Sequence, residues 1–238
     1  MKMWSLIFLS VLACSNIALG QERGNIRLAL FVTSEQIQAY ENFQSGFTWS
    51  KLQQSLRTET RQGIDWVLSR NAGFPYDMSV SIADIQRVDS RTADPWIQSA
   101  ARYDGDGFVQ LAEYAKSHSS GYDLAALIFS DAEQKRYNAP YGFAPIGAAC
   151  SKWPVLVVNG QIFNTGEGIW SWLIAHEIGH QLGAEEGPYD KSDACYDIMS
   201  ATPSDLDKHK LWSRCSWDAV EKTAMSEGLK CLGLYAKK

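Results

Sequence analysis

The chain has 238 residues, 45% of them hydrophobic, with nine Trp, ten Tyr and nine Phe, enough to fill one sizeable core. A formal net charge of −5 and the absence of any Lys/Arg run argue against a nucleic-acid partner. Beyond the N-terminus no apolar stretch is long enough to span a membrane.

Residues 1–20 read as a secretory leader. Lys2 supplies the positive start, WSLIFLSVLAC is an apolar run too short for a bilayer, and Ala18-Leu19-Gly20 is a small-residue cleavage site before Gln21. A lipoprotein reading, with Cys14 lipidated, fits poorly because it leaves so short a signal. The expectation is therefore a secreted, extracellular protein. Residues 25–33, NIRLALFVT, are β-rich and alternate as a strand does. Residues 50–70 predict a helix with a Leu52, Leu56, Ile64, Val67 and Leu68 stripe, capping-box spacing at Ser50 and Gln53, and an end by Gly73. MSVSIADIQRV, residues 78–88, predicts a second strand. DGDG at 104–107 lacks the full spacing of a calcium loop and reads as a turn and cap. The helix it opens runs to about His118, with Phe108, Leu111, Ala112 and Ala115 inward. DLAALIF (123–129) and VLVV (155–158) are further strands. This alternation of strands and helices implies an α/β fold, a sheet layered with helices.

Cleavage of the leader would remove Cys14 and leave Cys150, Cys195, Cys215 and Cys231. An even number in a secreted chain implies two disulfides, with three connectivities open. No C-x-x-C pair exists, so a four-cysteine zinc site is a weak alternative.

The chemistry concentrates in HEIGHQLGAEE, residues 176–186. His176 and His180 stand four apart, which on a helix places both imidazoles on one face, within reach of one metal ion. Glu177 lies about 100° further around the helix and suits a general base acting on the attacking water. Gly183 stands where a left-handed residue ends a helix and turns the chain, and such a turn can bring a residue three positions later back to the metal.

HEIGHQLG, YDLAALIF followed by YGFAPIGAAC, CYDIM, and WSRCSWDAVEKTAMSEGLKCL together resemble the adamalysin/reprolysin group of the metzincin metalloproteases, over nearly the whole chain after the leader. The resemblance implies a metzincin-type catalytic domain at residues 21–238. It would hold a twisted mixed sheet with helices and an active-site helix in an N-terminal subdomain (about 25–183). A smaller irregular C-terminal subdomain (about 184–238) would end in a helix. It implies a horizontal cleft with Zn2+ at its floor, Met199 beneath the metal, and Val155–Asn159 as the edge strand to which a peptide substrate adds. Ser200–Leu206 would wall a pocket. The same resemblance suggests the pairing Cys150–Cys231 and Cys195–Cys215. Two departures stand out. Family members carry a pro-domain whose cysteine blocks the zinc, whereas here the domain-like sequence follows the leader almost directly, implying secretion in active form or control by another molecule. The family's third histidine is replaced by Glu186 and the aspartate after it by Gly187.

The resulting expectation is a monomeric, secreted zinc endopeptidase acting on proteins or peptides, with His176, His180 and Glu186 as metal ligands and Glu177 as the catalytic base. Carboxylate oxygen binds zinc at about the imidazole distance, and His₂Glu sets serve other catalytic zinc sites. Glu185, the competing acid, is one position short of the family offset. The rival reading is a non-catalytic secreted binding protein on the same fold; the intact Glu177 argues against it. The zinc proteases that place their glutamate on a later helix fit less well, given Gly183 and Met199.

Overall fold

The computed structural model describes residues 24–43, 46–68, 78–160, 169–188, 194–200, 212–226 and 228–232. The leader, Gly73, residues 201–206 and His209 lie outside them.

The first strand, β1 (Gly24–Thr33), explains the architecture. Ile26, Leu28, Leu30 and Val32 join one apolar layer, while Ala29 and Phe31 join another. A strand buried on both faces belongs to a parallel sheet covered on both sides. The layer on the first face is built by α1 (Ser34–Phe43), α2 (Trp49–Val67) and α6 (Ile169–Leu182), and that on the second by α3 (Ser90–Arg102) and α4 (Asp106–His118). The other strands are β2 (Met78–Val88), β3 (Leu124–Phe129), β4 (Gly142–Phe143) and β5 (Val155–Asn159). The sheet order is β2-β1-β3-β5-β4, parallel except for β4, which runs antiparallel to β5 with Gly142 opposite Val158 and Phe143 opposite Val157. The short helix α5 (Asp131–Tyr137) follows β3, and α7 (Arg214–Met225) precedes a final turn at Lys230–Leu232.

Two sequence expectations are corrected here. Val155–Asn159 is not the edge strand: β5 is flanked by β3 and β4, so the edge facing the cleft is β4. The cap of α2 is Thr48, whose hydroxyl accepts from Lys51 N at 3.3 Å; Ser50 lies inside the helix. The stripe itself is as expected, with Leu52, Leu56, Ile64 and Leu68 fully buried; the Val67 side chain is outside the described set. At the opposite sheet edge, Gln53 and Arg57 of α2 donate to the β2 carbonyls of Ile85 (3.2 Å) and Ile82 (3.0 Å), blunting that edge against strand addition.

Cys150 is bonded to Cys231 and Cys195 to Cys215, with Cα–Cα distances of 5.6 and 5.5 Å. The first ties the end of the chain to the segment before β5. Among the described residues no helix is long and apolar enough to cross a membrane.

Candidate metal centre and cleft

Helix α6 is apolar almost all round. Trp172, Leu173, Ile174, Ala175, Ile178 and Leu182 are all buried, as expected of a helix sunk in the core. Three charged or titratable residues are buried with them: His176, Glu177 and His180. Such burial calls for partners, and the imidazoles have them. His176 Nδ1 lies 2.8 Å from the Ile198 carbonyl and His180 Nδ1 2.9 Å from the Ala184 carbonyl. A carbonyl only accepts, so each Nδ1 carries a proton, and in its neutral form each ring has its lone pair on Nε2. The two Nε2 atoms are 3.1 Å apart.

The chain returns to them through the end of α6. Gly183, at φ +110°, forms the turn, with Gly183 N bonding His180 O and Ala184 N bonding Gly179 O, both at 2.9 Å. That pair of bonds is the Schellman ending, which needs a residue tolerant of positive φ. Gly187 N then donates to Met199 O at 2.6 Å. A Cβ on Gly187 would stand 2.6 Å from Ser200 Oγ and 3.1 Å from the Met199 carbonyl carbon, so the loop lies this low because the residue is glycine. Between these anchors Glu186 places Oε1 3.4 Å from His180 Nε2 and 3.7 Å from His176 Nε2.

His176, His180 and Glu186 thus form a group able to hold a metal ion. Bonds of about 2.0–2.1 Å in a tetrahedron put neighbouring donors about 3.3 Å apart, and the observed separations of 3.1, 3.4 and 3.7 Å bracket that value. Two neutral imidazoles and a carboxylate are donors zinc accepts. Burial works against charge on both sides, yet the hydrogen bonds and attraction between them prevail: His176 is raised above the ordinary imidazole value and Glu186 is held down at about 2. Glu185 is exposed and outside the group. His118 is exposed at the end of α4, stacked on Tyr114 at 3.8 Å.

Glu177 lies beside this group, facing β4. Burial pushes its carboxyl up to about 7, although both imidazoles pull the other way, and its Oε2 is buried without a hydrogen-bond partner. Gly142 permits the approach: a Cβ there would stand 2.1 Å from Glu177 Oε1. Below the histidines, Gly179 meets Met199, whose Sδ would be 2.7 Å from a Cβ at that position. Asp197 fixes this region, its buried carboxylate accepting from Met199 N (2.8 Å) and Ser213 N (2.7 Å). The roles of Gly142, Gly179 and Asp197 were not read from the sequence. All three lie in segments that carry the resemblance, YGFAPIGAAC, HEIGHQLG and CYDIM, but no chemistry singled them out.

In front of the group opens a cavity of about 570 Å³, bounded by β4, Tyr103, Ile146, Trp172, the two histidines and both glutamates.

A family model described as Metallo-peptidase family M12B Reprolysin-like matches residues 58–185, more than half of the chain. Two curated relatives, both "A disintegrin and metalloproteinase with thrombospondin motifs 18", from Mus musculus and Homo sapiens, are each 35% identical over 95 residues, covering 38% of this chain. The chain spans only 7% of the length of those relatives. Among solved structures, a chain in a chaperone–substrate complex aligns with 87% of this chain and 39% of its own, at TM-score 0.51 and 11% identity, a likeness of fold alone. Metalloproteinase-II from Bacteroides fragilis aligns with 85% of this chain and 54% of its own, at TM-score 0.44 and 15% identity.

Proposed function

The chain belongs to the reprolysin-like M12B family of metallopeptidases, and from that premise we propose that it is a secreted, zinc-dependent endopeptidase. The observation that carries the reading is the convergence of His176 Nε2, His180 Nε2 and Glu186 Oε1 at metal-binding separations beside a buried carboxylate. His176, His180 and Glu186 would hold the ion, and Glu177 would stand beside it without ligating. Zinc held there would supply Lewis acidity toward the scissile carbonyl and the attacking water. Glu177 takes the proton from that water as its oxygen bonds to the carbonyl carbon. It then delivers the proton to the amine nitrogen as the C–N bond breaks.

The backbone of β4 orients the substrate. Asn159 N donates to Tyr141 O at 2.7 Å, so Tyr141 faces β5. In an antiparallel pair the next residue turns its N–H and C=O outward. Gly142 therefore offers a donor and an acceptor to an extended peptide lying along the free edge. Cleavage within chains, rather than at their ends, rests on the family's cleft. Met199 serves as an apolar base under the helix that carries the histidines. The catalytic domain is residues 21–238, with subdomains 25–183 and 184–238 meeting where α6 ends. Secretion is supported by the leader-like residues 1–20 and by two disulfides, which persist in oxidising compartments.

Zinc titration of metal-stripped protein tests the reading. Hydrolysis of a random peptide library should rise with added zinc to a plateau at one equivalent and vanish with a chelator. Hydrolysis independent of zinc would overturn it, and stoichiometric zinc without hydrolysis would favour the binding-protein rival.

A further inference from the structure

Tyr103 breaks two rules at once. It ends α3 in the left-handed region at φ 55° and ψ 34°, a conformation that favours glycine, and the residue is 72% exposed. Its N–H closes the helix on Ala100 O and Ser99 O, work that glycine would do as well. Folding therefore does not call for a tyrosine here. A bulky residue in such a backbone state points to use of the ring itself.

The ring lies at the rim of the cleft. It stands edge-on to Phe143 with centroids 5.3 Å apart, and Phe143 stacks on Phe108 at 5.0 Å and 10°. Phe143 is the β4 residue after Gly142. Alternation along a strand sends the two to opposite faces of the sheet. Gly142 faces Glu177, so Phe143 and Tyr103 occupy the other face of the same free edge. The surroundings agree. Of the five exposed large apolar side chains among the described residues, Tyr103, Tyr141 and Ile146 line this cleft. Among the described residues no Lys, Arg or Asp lines it. Apolar exposure gathered at one groove marks a binding surface.

We propose that Tyr103 and Phe143 form an aromatic shelf that receives one aromatic or large aliphatic side chain of a peptide bound along β4. The proposal rests on the docking of an extended peptide along that edge. The peptide's side chains alternate between faces as a strand's do. Those on the Glu177 face lie over the metal group. Those on the opposite face meet the shelf, so the preference falls on residues of one parity along the bound peptide. Tyr103 is thereby a specificity-determining residue with no part in bond cleavage.

The test uses binding, so that it does not depend on turnover. Full-length, zinc-loaded Glu177→Ala is panned against a random decapeptide library, and the selected peptides are measured on Glu177→Ala with and without Tyr103→Gly or Tyr103→Phe. Glycine suits the left-handed position, so Tyr103→Gly should keep the melting temperature and the zinc content. Selected peptides should carry Phe, Tyr, Trp or Leu at one position. Tyr103→Gly should weaken them roughly 3- to 10-fold, leave peptides with Ala at that position unchanged, and Tyr103→Phe should retain the preference. No selected peptides, or equal affinity with and without the ring, would overturn the shelf. Selected peptides that wild type binds through Tyr103 but never hydrolyses would leave the shelf standing and remove the peptidase reading.

Discussion

At position 186 a carboxylate stands where the family carries an imidazole, and this changes the charge of the whole centre. A carboxylate ligand would add a negative charge beside the metal and would make zinc held there a weaker Lewis acid than one held by three neutral rings. Catalytic zinc usually takes three protein ligands, so Glu186→Ala should lower zinc affinity by two orders of magnitude or more, measured by competition with a chromophoric chelator. Glu185→Ala should retain zinc, and Glu186→His should restore binding; full occupancy in Glu186→Ala would remove the assignment. The glycine beside it acts through the ligand. Because a Cβ at 187 would press on Ser200 and Met199, Gly187→Ala should lift the loop and weaken zinc about 10- to 100-fold, the range found when groups that orient ligands are lost. Unchanged affinity would show that the loop does not depend on that contact. His176, His180 and Glu177 were legible because their spacing on one helix carries the chemistry, whereas Glu186, beyond the helix end, was read from the turn at Gly183 and the family offset. The carbonyls of Ile198 and Ala184, which fix the ring tautomers, were not. Backbone groups have no residue signature, and their position follows from tertiary packing.

Among the elements, α6 and β4 set the distance between Glu177 and the edge of the sheet. Gly142→Ala would force Glu177 Oε1 away from a Cβ 2.1 Å distant. It should cut kcat/KM by on the order of 10²-fold while zinc content stays the same, and unchanged kcat/KM would show that the base does not depend on this contact. Gly183→Ala combines a left-handed φ with a Cβ 2.0 Å from Thr223 Oγ1. It should cost about 1–3 kcal/mol in denaturant unfolding. Legibility followed pattern strength. The long α2 and buried β3 announced themselves by stripe and by apolar run. Three helices were missed. Helix α1 begins in the residue after β1 with no turn residue between, and α3 contains Pro95 at its sixth position, which reads as a breaker. The seven-residue α5 is too short for periodicity, although its Ser130–Glu133 capping box was present in the sequence. Strand β4 has two residues, too few for alternation to show, so the edge was assigned to β5.

Across the whole molecule, Cys150–Cys231 fastens the end of the chain to the segment before β5, which bonds the end of α6 through Gly147 N to His180 O and Ala149 N to Gln181 O. In the chain-entropy account, closing loops of 81 and 20 residues is worth about 4.5 and about 3.3 kcal/mol. Cys195–Cys215 joins the segment carrying Asp197 and Met199 to the first turn of α7. Replacing both cysteines by Ser should lower the melting temperature and weaken zinc binding together. A lower melting temperature with unaltered zinc affinity would separate the brace from the site. The measurement that bears most directly on the function is the rate of peptide-bond hydrolysis by zinc-loaded wild type beside zinc-loaded Glu177→Ala, each with its metal content determined. Measurable cleavage by wild type, a loss on the order of 10²–10⁴-fold in the variant, and one zinc per chain in both is the predicted result. Equal rates in the two proteins, or no hydrolysis by a fully zinc-loaded wild type, would contradict it.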